Sequence, residues 1–94
     1  MMINYDPTKR ETNLIKHGID LLDCPATFDY PMLTQPDNRI MYGEERLISL
    51  CWLEGRVVCM VWVDNDDEYG PRFISCREAQ RHEQSVYFNA FPNV

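Results

Sequence analysis

Two runs of β-forming residues separated by two residues constrain this 94-residue chain more than any other feature. The first run extends from Arg46 to Leu53, the second from Arg56 to Val63, and Glu54-Gly55 lies between them. A two-residue connection of this kind predicts a β-hairpin with a primed turn. We therefore expect an antiparallel sheet in the middle of the chain.

Pairing Leu53 with Arg56 predicts which side chains of the hairpin share a face. One face carries Ile48, Leu50, Trp52, Val57, Cys59, Val61 and Val63, with Arg46 at the end of the row. The other carries Leu47, Ser49, Cys51, Leu53, Arg56, Val58, Met60 and Trp62. Both faces are largely apolar, so we expect the hairpin to be covered on both sides or to present one face to a partner.

Helix signals precede the hairpin. Asp6-Pro7 predicts the start of a helix that runs to about His17 and stops at Gly18, because aspartate caps helices, proline suits the first turn and glycine suits the end. Asp20 predicts the cap of a second helix, from Leu21 to about Phe28. Edge strands are expected within residues 1–5 and 32–42.

The segment after the hairpin predicts a strand that runs directly into a helix. The strand extends from Arg72 to Ser75 or Cys76, and the helix begins near Arg77 and continues to about Asn89. Arginines at 72, 77 and 81 surround this junction. A planar guanidinium binds two phosphate oxygens at once, so the junction is a candidate phosphate site; an ordinary solvated face is the alternative.

These elements predict one α+β domain over residues 1–94, with two N-terminal helices, a twisted antiparallel sheet of three to four strands and a C-terminal helix. An apolar content of 45% is typical of globular proteins. The sequence has neither a membrane-spanning run nor an export signal, which indicates a cytoplasmic protein.

Charge and cysteine usage restrict the function classes. A net charge of −6 disfavours a generic nucleic-acid binder, although a local basic site remains compatible with it. The four cysteines form no CxxC pair, and the two histidines are not spaced as zinc ligands, so no metal or cofactor is expected. In the acidic loop 64–71, Tyr69 stands where a calcium loop has glycine and no glutamate follows at the required spacing, so the loop is interpreted as a solvated turn.

Several motifs occur in a defined order along the chain. They are Tyr5-Asp6, Lys9, Asn13, Lys16-His17-Gly18, Phe28-Asp29, Gly43-Glu44-Glu45-Arg46, Gly55-Arg56, and Arg72-x-Ile74-Ser75-x-Arg77-x-Ala79 with Arg81, Glu83 and Tyr87. This set resembles the BrnT family of bacterial toxins, a branch of the RelE-like ribonuclease superfamily. Pro25 and Cys76 depart from the pattern, since alanine is more usual at both positions.

The resemblance implies a RelE-like fold and a metal-independent endoribonuclease that arrests translation. It also implies a cognate antitoxin with a ribbon-helix-helix DNA-binding domain, so that DNA is contacted only through the antitoxin, and an RNA substrate. The residues implied in catalysis are Arg46, Arg72, Arg77, Arg81, Glu83 and His17. Those implied in RNA binding are Lys9, Asn13, Lys16, Arg56 and Tyr87.

The expected roles follow from metal-free RNA cleavage, in which a 2′-hydroxyl loses a proton and attacks the adjacent phosphate. Arg72, Arg77 and Arg81 would surround the scissile phosphate, with Arg46 or Arg56 reaching it from the hairpin. Glu83 or His17 would accept the proton, and Tyr87 or His82 would donate one or stack on a base.

Two other functions compete with this interpretation. One is a non-catalytic binding module, such as an inactive toxin relative, which the acidic net charge favours and the arginine set disfavours. The other is a small metal-dependent enzyme, which the sequence supports least because the dense acid run has no nearby histidine. Convergence of the arginines on one concave surface would favour the nuclease, and scatter would favour the binding module.

Overall fold

The strands found in the described part of the chain form one mixed sheet of five. A computed structural model describes residues 4–39, 41, 43–65, 68 and 70–94. The elements in order are β1 (Asn4–Tyr5), α1 (Pro7–His17), a 3₁₀ helix (Leu21–Asp29), β2 (Leu33–Pro36), β3 (Leu47–Leu53), β4 (Arg56–Val63), β5 (Arg72–Glu78) and α2 (Arg81–Ala90). The strand order is β1-β5-β4-β3-β2. The α+β class is confirmed, and the predicted strand within residues 32–42 is β2.

The predicted hairpin and its register are confirmed. Leu53 pairs with Arg56 across the two-residue turn, and the pairing continues to Leu47 and Trp62. Glu54 and Gly55 both have positive φ angles, 51° and 81°, as the primed turn of type I′ requires. The hairpin therefore presents the two faces predicted from the sequence.

The helix caps before the hairpin are also as predicted. The Asp6 carboxylate accepts a hydrogen bond from the Thr8 N–H at 2.8 Å, and Gly18 ends α1 in the left-handed conformation. The Asp20 carboxylate accepts one from the Leu22 N–H at 3.0 Å. The second helix is a 3₁₀ helix rather than an α-helix, and it contains Pro25, which has no N–H to donate to an α-helical hydrogen bond.

The main core lies on the face of the sheet that packs against the 3₁₀ helix. Its buried residues are Ile19, Leu21, Cys24, Cys51, Leu53, Val58, Met60, Trp62, Phe73 and Cys76. The opposite face, here called the α2 face, carries Val57, Cys59, Val61 and Val63 from β4. Near the hairpin turn α2 covers this face, because Tyr87 packs on Val57 and Ala79. Coverage on both sides is thus confirmed for this half of the hairpin.

Asn13 joins α1 to the edge of β5. Its Oδ1 accepts a hydrogen bond from the Cys76 N–H at 2.9 Å, and its Nδ2 donates to the Cys76 and Ile19 carbonyl oxygens at 2.8 Å each. In the described part of the chain, β1 pairs with β5 at Arg72 and Phe73. The Asn13 amide therefore supplies, farther along β5, the donor and acceptor that a longer β1 would supply.

Three sequence predictions on the fold are wrong. Within the described ranges the sheet has five strands instead of three to four, and it is mixed, because β1 pairs with β5 in parallel. β5 does not give way to a helix near Arg77, since Arg77 and Glu78 still pair with Cys59 and Val58. The helix begins at Arg81, where Gln80 and Glu83 form a capping box.

The predicted N-terminal strand is found at Asn4–Tyr5, and residues 1–3 lie outside the described residues. Asp66, Asp67 and Tyr69 of the loop 64–71 also lie outside them. Within the described ranges, no helix is long and apolar enough to cross a membrane.

The four cysteines are buried and free. Cys51 and Cys59 lie on opposite faces of the hairpin, as predicted. Burial raises the pKa of the Cys51 thiol to about 12, so it remains protonated at neutral pH.

We expect the Asn13→Ala variant to lose roughly 3 kcal/mol of unfolding free energy, because a buried N–H and two carbonyls lose their partner. Urea denaturation followed by tryptophan fluorescence measures the loss. Glu11→Ala, an exposed position on the same helix, is the matched control and should change stability by less than roughly 0.5 kcal/mol. Equal urea midpoints for Asn13→Ala and the parent would contradict the role given to Asn13.

Candidate functional site

A salt bridge between β5 and α2 lies on the α2 face. Strand pairing sets Arg77 opposite Cys59, and the first turn of α2 brings Glu83 to it. The two Arg77 terminal nitrogens donate to the two Glu83 oxygens at 2.8 and 3.0 Å. Glu83 also accepts the Gln80 N–H at 2.8 Å, which fixes the carboxylate at the start of the helix.

The electrostatics of this pair follow from its geometry. The hydrogen bonds from Arg77 hold the pKa of the Glu83 carboxyl below its ordinary value. The same bonds raise the pKa of Arg77 above its ordinary value. Glu83 is therefore ionised in the free protein at neutral pH, and it becomes a better proton acceptor when Arg77 is drawn away.

A second group of charges lies at the other end of β5. Glu44 accepts hydrogen bonds from Arg72 and from Arg46, the latter at 3.3 Å. The bond from Arg72, with a smaller contribution from Arg46, holds the pKa of Glu44 below its ordinary value. Arg72 pairs with Val63 in the sheet, so this group shares the α2 face with Arg77.

A β-bulge allows Arg72 and Arg77 to share one face. The two are five residues apart, and a regular strand would place them on opposite faces. The register between β4 and β5 shifts between Val61 and Trp62, so the extra residue in β5 restores the alternation. Five residues at about 3.3 Å each still separate them by roughly 16 Å.

Arg39 is a site residue that the sequence analysis missed. Its guanidinium bonds the Asp37 carboxylate at 2.7 and 2.8 Å, and the Asp37 carboxylate is almost fully buried. The charge of Arg39 makes a small contribution that opposes the raised pKa of Arg77. The strand predicted within residues 32–42 could have indicated Arg39, since a guanidinium that follows an edge strand can reach the adjacent face of the sheet.

A cavity of about 420 Å³ adjoins the Arg77–Glu83 pair, between α2 and strands β2 and β3. Ile48, Leu50 and Val86 give it apolar surface. Gln35, His82 and Glu83 add polar groups. We call it the α2 cavity, and its size is within the range of roughly 300–1,000 Å³ usual for ligand sites.

A groove of about 370 Å³ lies between α1 and β5. Lys9, Lys16 and His17 line it from the helix, and Ser75 lines it from the strand. Ser75 precedes Arg77 by two residues on β5, so both side chains point to the same side of the sheet. The structure thus brings these three α1 residues next to the α2 face.

Three other predicted site residues, Asn13, Tyr87 and Arg56, use their polar groups inside the protein or lie on the opposite face. Asn13 and Tyr87 are buried in the protein, and the Tyr87 hydroxyl donates to the Pro31 carbonyl oxygen at 2.8 Å. The Asn13 amide borders the groove along α1, but its oxygen and nitrogen are bonded to main-chain atoms of Cys76 and Ile19, and the Tyr87 hydroxyl is likewise bonded inside the protein. Arg56 belongs to the opposite face, because it is two residues from Val58 on β4, and its guanidinium lies 3.8 Å from Glu78.

The structure does not bring together the three arginines predicted to surround one phosphate. Arg72 and Arg77 are at opposite ends of β5, and Arg81 is exposed at the start of α2, with no ion pair to any residue that the structure describes. Arg39, Arg46, Arg72 and Arg77 are each paired with a carboxylate, so the predicted arginines do not converge on one phosphate-sized site. Among the described residues, no group of three or more His, Cys, Asp or Glu side chains is arranged to hold a metal ion.

The Glu83→Gln variant separates the ion pair from the helix cap, because glutamine still accepts the Gln80 N–H. We expect it to lose about 1 kcal/mol of stability at neutral pH. The pKa of Glu83 is lower in the folded protein than its ordinary value of 4.5, so its contribution is complete above about pH 4.5 and fades as the pH falls through the folded value.

Urea denaturation between pH 3 and 7 measures this difference, which should shrink on acidification. Glu83→Ala is the comparison that removes the cap as well, and it should be less stable than Glu83→Gln at every pH. A difference between the parent and Glu83→Gln that does not change with pH would contradict the assignment.

The comparison with protein families matches most of this chain. Residues 5–83 match the family described as "Ribonuclease toxin, BrnT, of type II toxin-antitoxin system". The match extends from β1 to the first turn of α2 and includes Arg46, Arg72, Arg77 and Glu83. No curated protein matches the chain. The match covers well over half of the sequence, and the chain therefore belongs to the BrnT family of ribonuclease toxins of type II toxin–antitoxin systems.

Proposed function

We propose that this toxin is a metal-independent endoribonuclease whose catalytic site is the Arg77–Glu83 pair and the α2 cavity beside it. The observation that carries the proposal is a bidentate guanidinium–carboxylate pair at the edge of an open cavity. In RNA cleavage the guanidinium would bind the phosphate and the carboxylate would accept the proton. Cutting of RNA would arrest translation, as in the RelE-like superfamily that the sequence resembles.

The reaction requires one proton acceptor, one proton donor and charge stabilisation. The 2′-oxygen loses its proton, forms a bond to phosphorus and displaces the 5′-oxygen, which takes up a proton as its bond breaks. The products are a 2′,3′-cyclic phosphate and a 5′-hydroxyl. Negative charge grows on the phosphate oxygens, so an arginine held at this point stabilises the transition state more than the ground state.

Glu83 is the proposed proton acceptor. In the free protein its acceptor oxygens are occupied by Arg77, which lowers its pKa. A bound phosphate competes for the same guanidinium. As Arg77 turns to the phosphate, the pKa of Glu83 rises towards its ordinary value. RNA binding itself would therefore make Glu83 a stronger base.

His82 is the proposed proton donor. It lies one residue before Glu83 and lines the same cavity, and imidazole commonly transfers protons near neutral pH. His17 is the alternative proton-transfer group, since it lines the groove along α1 on the other side of β5. Tyr87 has no part in this scheme, because its hydroxyl is bonded inside the protein.

The remaining cations would hold the RNA backbone on both sides of the cleavage point. Arg72 lies roughly 16 Å from Arg77 along β5, and Arg46 shares Glu44 with Arg72, so this pair suits a second phosphate of the same strand better than the scissile one. Lys9 and Lys16 would contact the backbone from α1. Arg81 is exposed at the start of α2 and would contribute long-range attraction.

We also propose that a cognate antitoxin with a ribbon-helix-helix DNA-binding domain neutralises this toxin in the cytoplasm, and that the toxin meets DNA only through it. The support is membership of a toxin–antitoxin family, together with a net charge of −6 that disfavours direct DNA binding.

We expect Arg77→Ala and Glu83→Gln to abolish growth arrest when the toxin is induced alone in a bacterial culture. Loss of a positioned donor to the developing charge lowers the cleavage rate by roughly 100-fold. Arg56→Ala is the matched control, because it removes an arginine from the opposite face of the same hairpin, and it should arrest growth like the parent.

Soluble protein must be equal in all cultures, and RNA ends are mapped in each. Growth arrest and RNA cutting by Arg77→Ala at the level of the parent would contradict the assigned site. Normal growth on full expression of the parent would contradict ribonuclease activity for this chain and favour the non-catalytic binding module.

A further inference from the structure

We propose that the α2 cavity binds one RNA base next to the scissile phosphate, and that Gln35 makes this subsite selective for adenine. The inference rests on the proposed nuclease function, which it extends from the backbone to the sequence of the RNA. Three observations support it: the lining of the cavity, the position of Gln35, and the presence of Glu83 both in the cavity lining and in the proposed catalytic pair.

The cavity suits a flat, partly apolar ligand. Leu33, Ile48 and Leu50 provide aliphatic surface from β2 and β3, and Val86 faces them from α2 with half of its surface exposed. An aliphatic side chain this exposed in a concave site favours a ligand with an apolar face. Unstacked bases of single-stranded RNA are bound in this manner.

Gln35 supplies the selective group. It pairs with Ile48 across β2 and β3, and its side chain lines the cavity beside that apolar surface. Within the described part of the chain, its amide has no hydrogen-bond partner, so both its donor and its acceptor are available. A carboxamide forms a bidentate pair with adenine, which offers the N6 donor beside the N7 acceptor.

The position of the cavity defines which base it would hold. Glu83 is a wall of the cavity and also the partner of Arg77, and His82 lines the same space. A base in the cavity would therefore belong to a nucleotide that flanks the phosphate bound by Arg77. The aliphatic lining contributes affinity for any base, and the Gln35 amide contributes the preference.

The test uses the purified full-length toxin and single-stranded RNA oligonucleotides that carry one candidate cleavage site each, flanked by A, G, C or U. We expect the parent to cut beside adenine roughly ten-fold faster than beside any other base, as kcat/KM. Gln35→Met preserves the length and apolar contacts of the side chain without the amide. It should lower kcat/KM at the adenine site to the level of the others and leave the others unchanged.

A second variant tests the cavity independently of Gln35. Val86→Trp places a larger side chain in the cavity from α2, at an exposed position where folding tolerates the change. It should weaken binding of the RNA base, which raises KM with little effect on kcat. Urea denaturation of both variants confirms that they fold.

The outcomes separate this inference from the function on which it rests. If the parent cuts these RNAs and Arg77→Ala does not, but Gln35→Met retains the preference of the parent, the nuclease is upheld and the base subsite is refuted. Equal kcat/KM values of the parent for all four oligonucleotides would also refute the base subsite. If Gln35→Met weakens antitoxin binding without altering the cleavage pattern, the cavity holds an antitoxin side chain instead. If the parent cuts no RNA, both proposals fail.

Discussion

The register of the β3–β4 hairpin is the constraint on which the rest of this protein depends. A two-residue type I′ turn fixes the pairing of Leu53 with Arg56, and each later pair follows from this one. A slip by one residue would exchange the two faces. Arg46 and Cys59 would turn towards the 3₁₀ helix, and Arg56 would take a place on the α2 face.

The β-bulge in β5 is the second determinant of the site. It lets Phe73 enter the core beside Trp62 while Arg72 and Arg77 both lie on the α2 face. Asn13 anchors the same strand from α1, so β5 is held by main-chain pairing to β4 on one side and by β1 and a side-chain amide on the other. Site geometry and core packing are therefore coupled through one strand.

Pairing of charges reconciles an acidic protein with a phosphate site. Glu44 and Glu83 lie between or beside the arginines of the α2 face, and they keep those guanidinium groups in place before any ligand arrives. A surface arranged in this way attracts RNA less strongly at long range than a bare basic patch does. It also means that a phosphate must displace a carboxylate to bind, which releases the group proposed as the base.

Local sequence signals were sufficient for elements stabilised by neighbours in the chain. The hairpin, the caps at Asp6 and Asp20, the end of α1 at Gly18 and the sidedness of Arg46 and Arg56 all follow from spacing and turn chemistry. The ordered motifs also indicated the family, which the match over residues 5–83 bears out. These features depend on contacts within a few residues, where propensity decides.

Long-range pairing decided the remainder. The sequence predicted a helix from Arg77, but pairing with Cys59 and Val58 extends β5 by two residues, and the bulge reverses the sidedness that simple alternation assigns to Arg72. Asn13 and Tyr87 looked like polar groups available to RNA, yet their partners Cys76 and Pro31 are more than fifty residues away in the chain. The sequence by itself determined the hairpin, the caps and the set of charged residues. Only the tertiary structure decided which of those charges share a surface, because sheet order, a bulge and burial arise from contacts between distant segments.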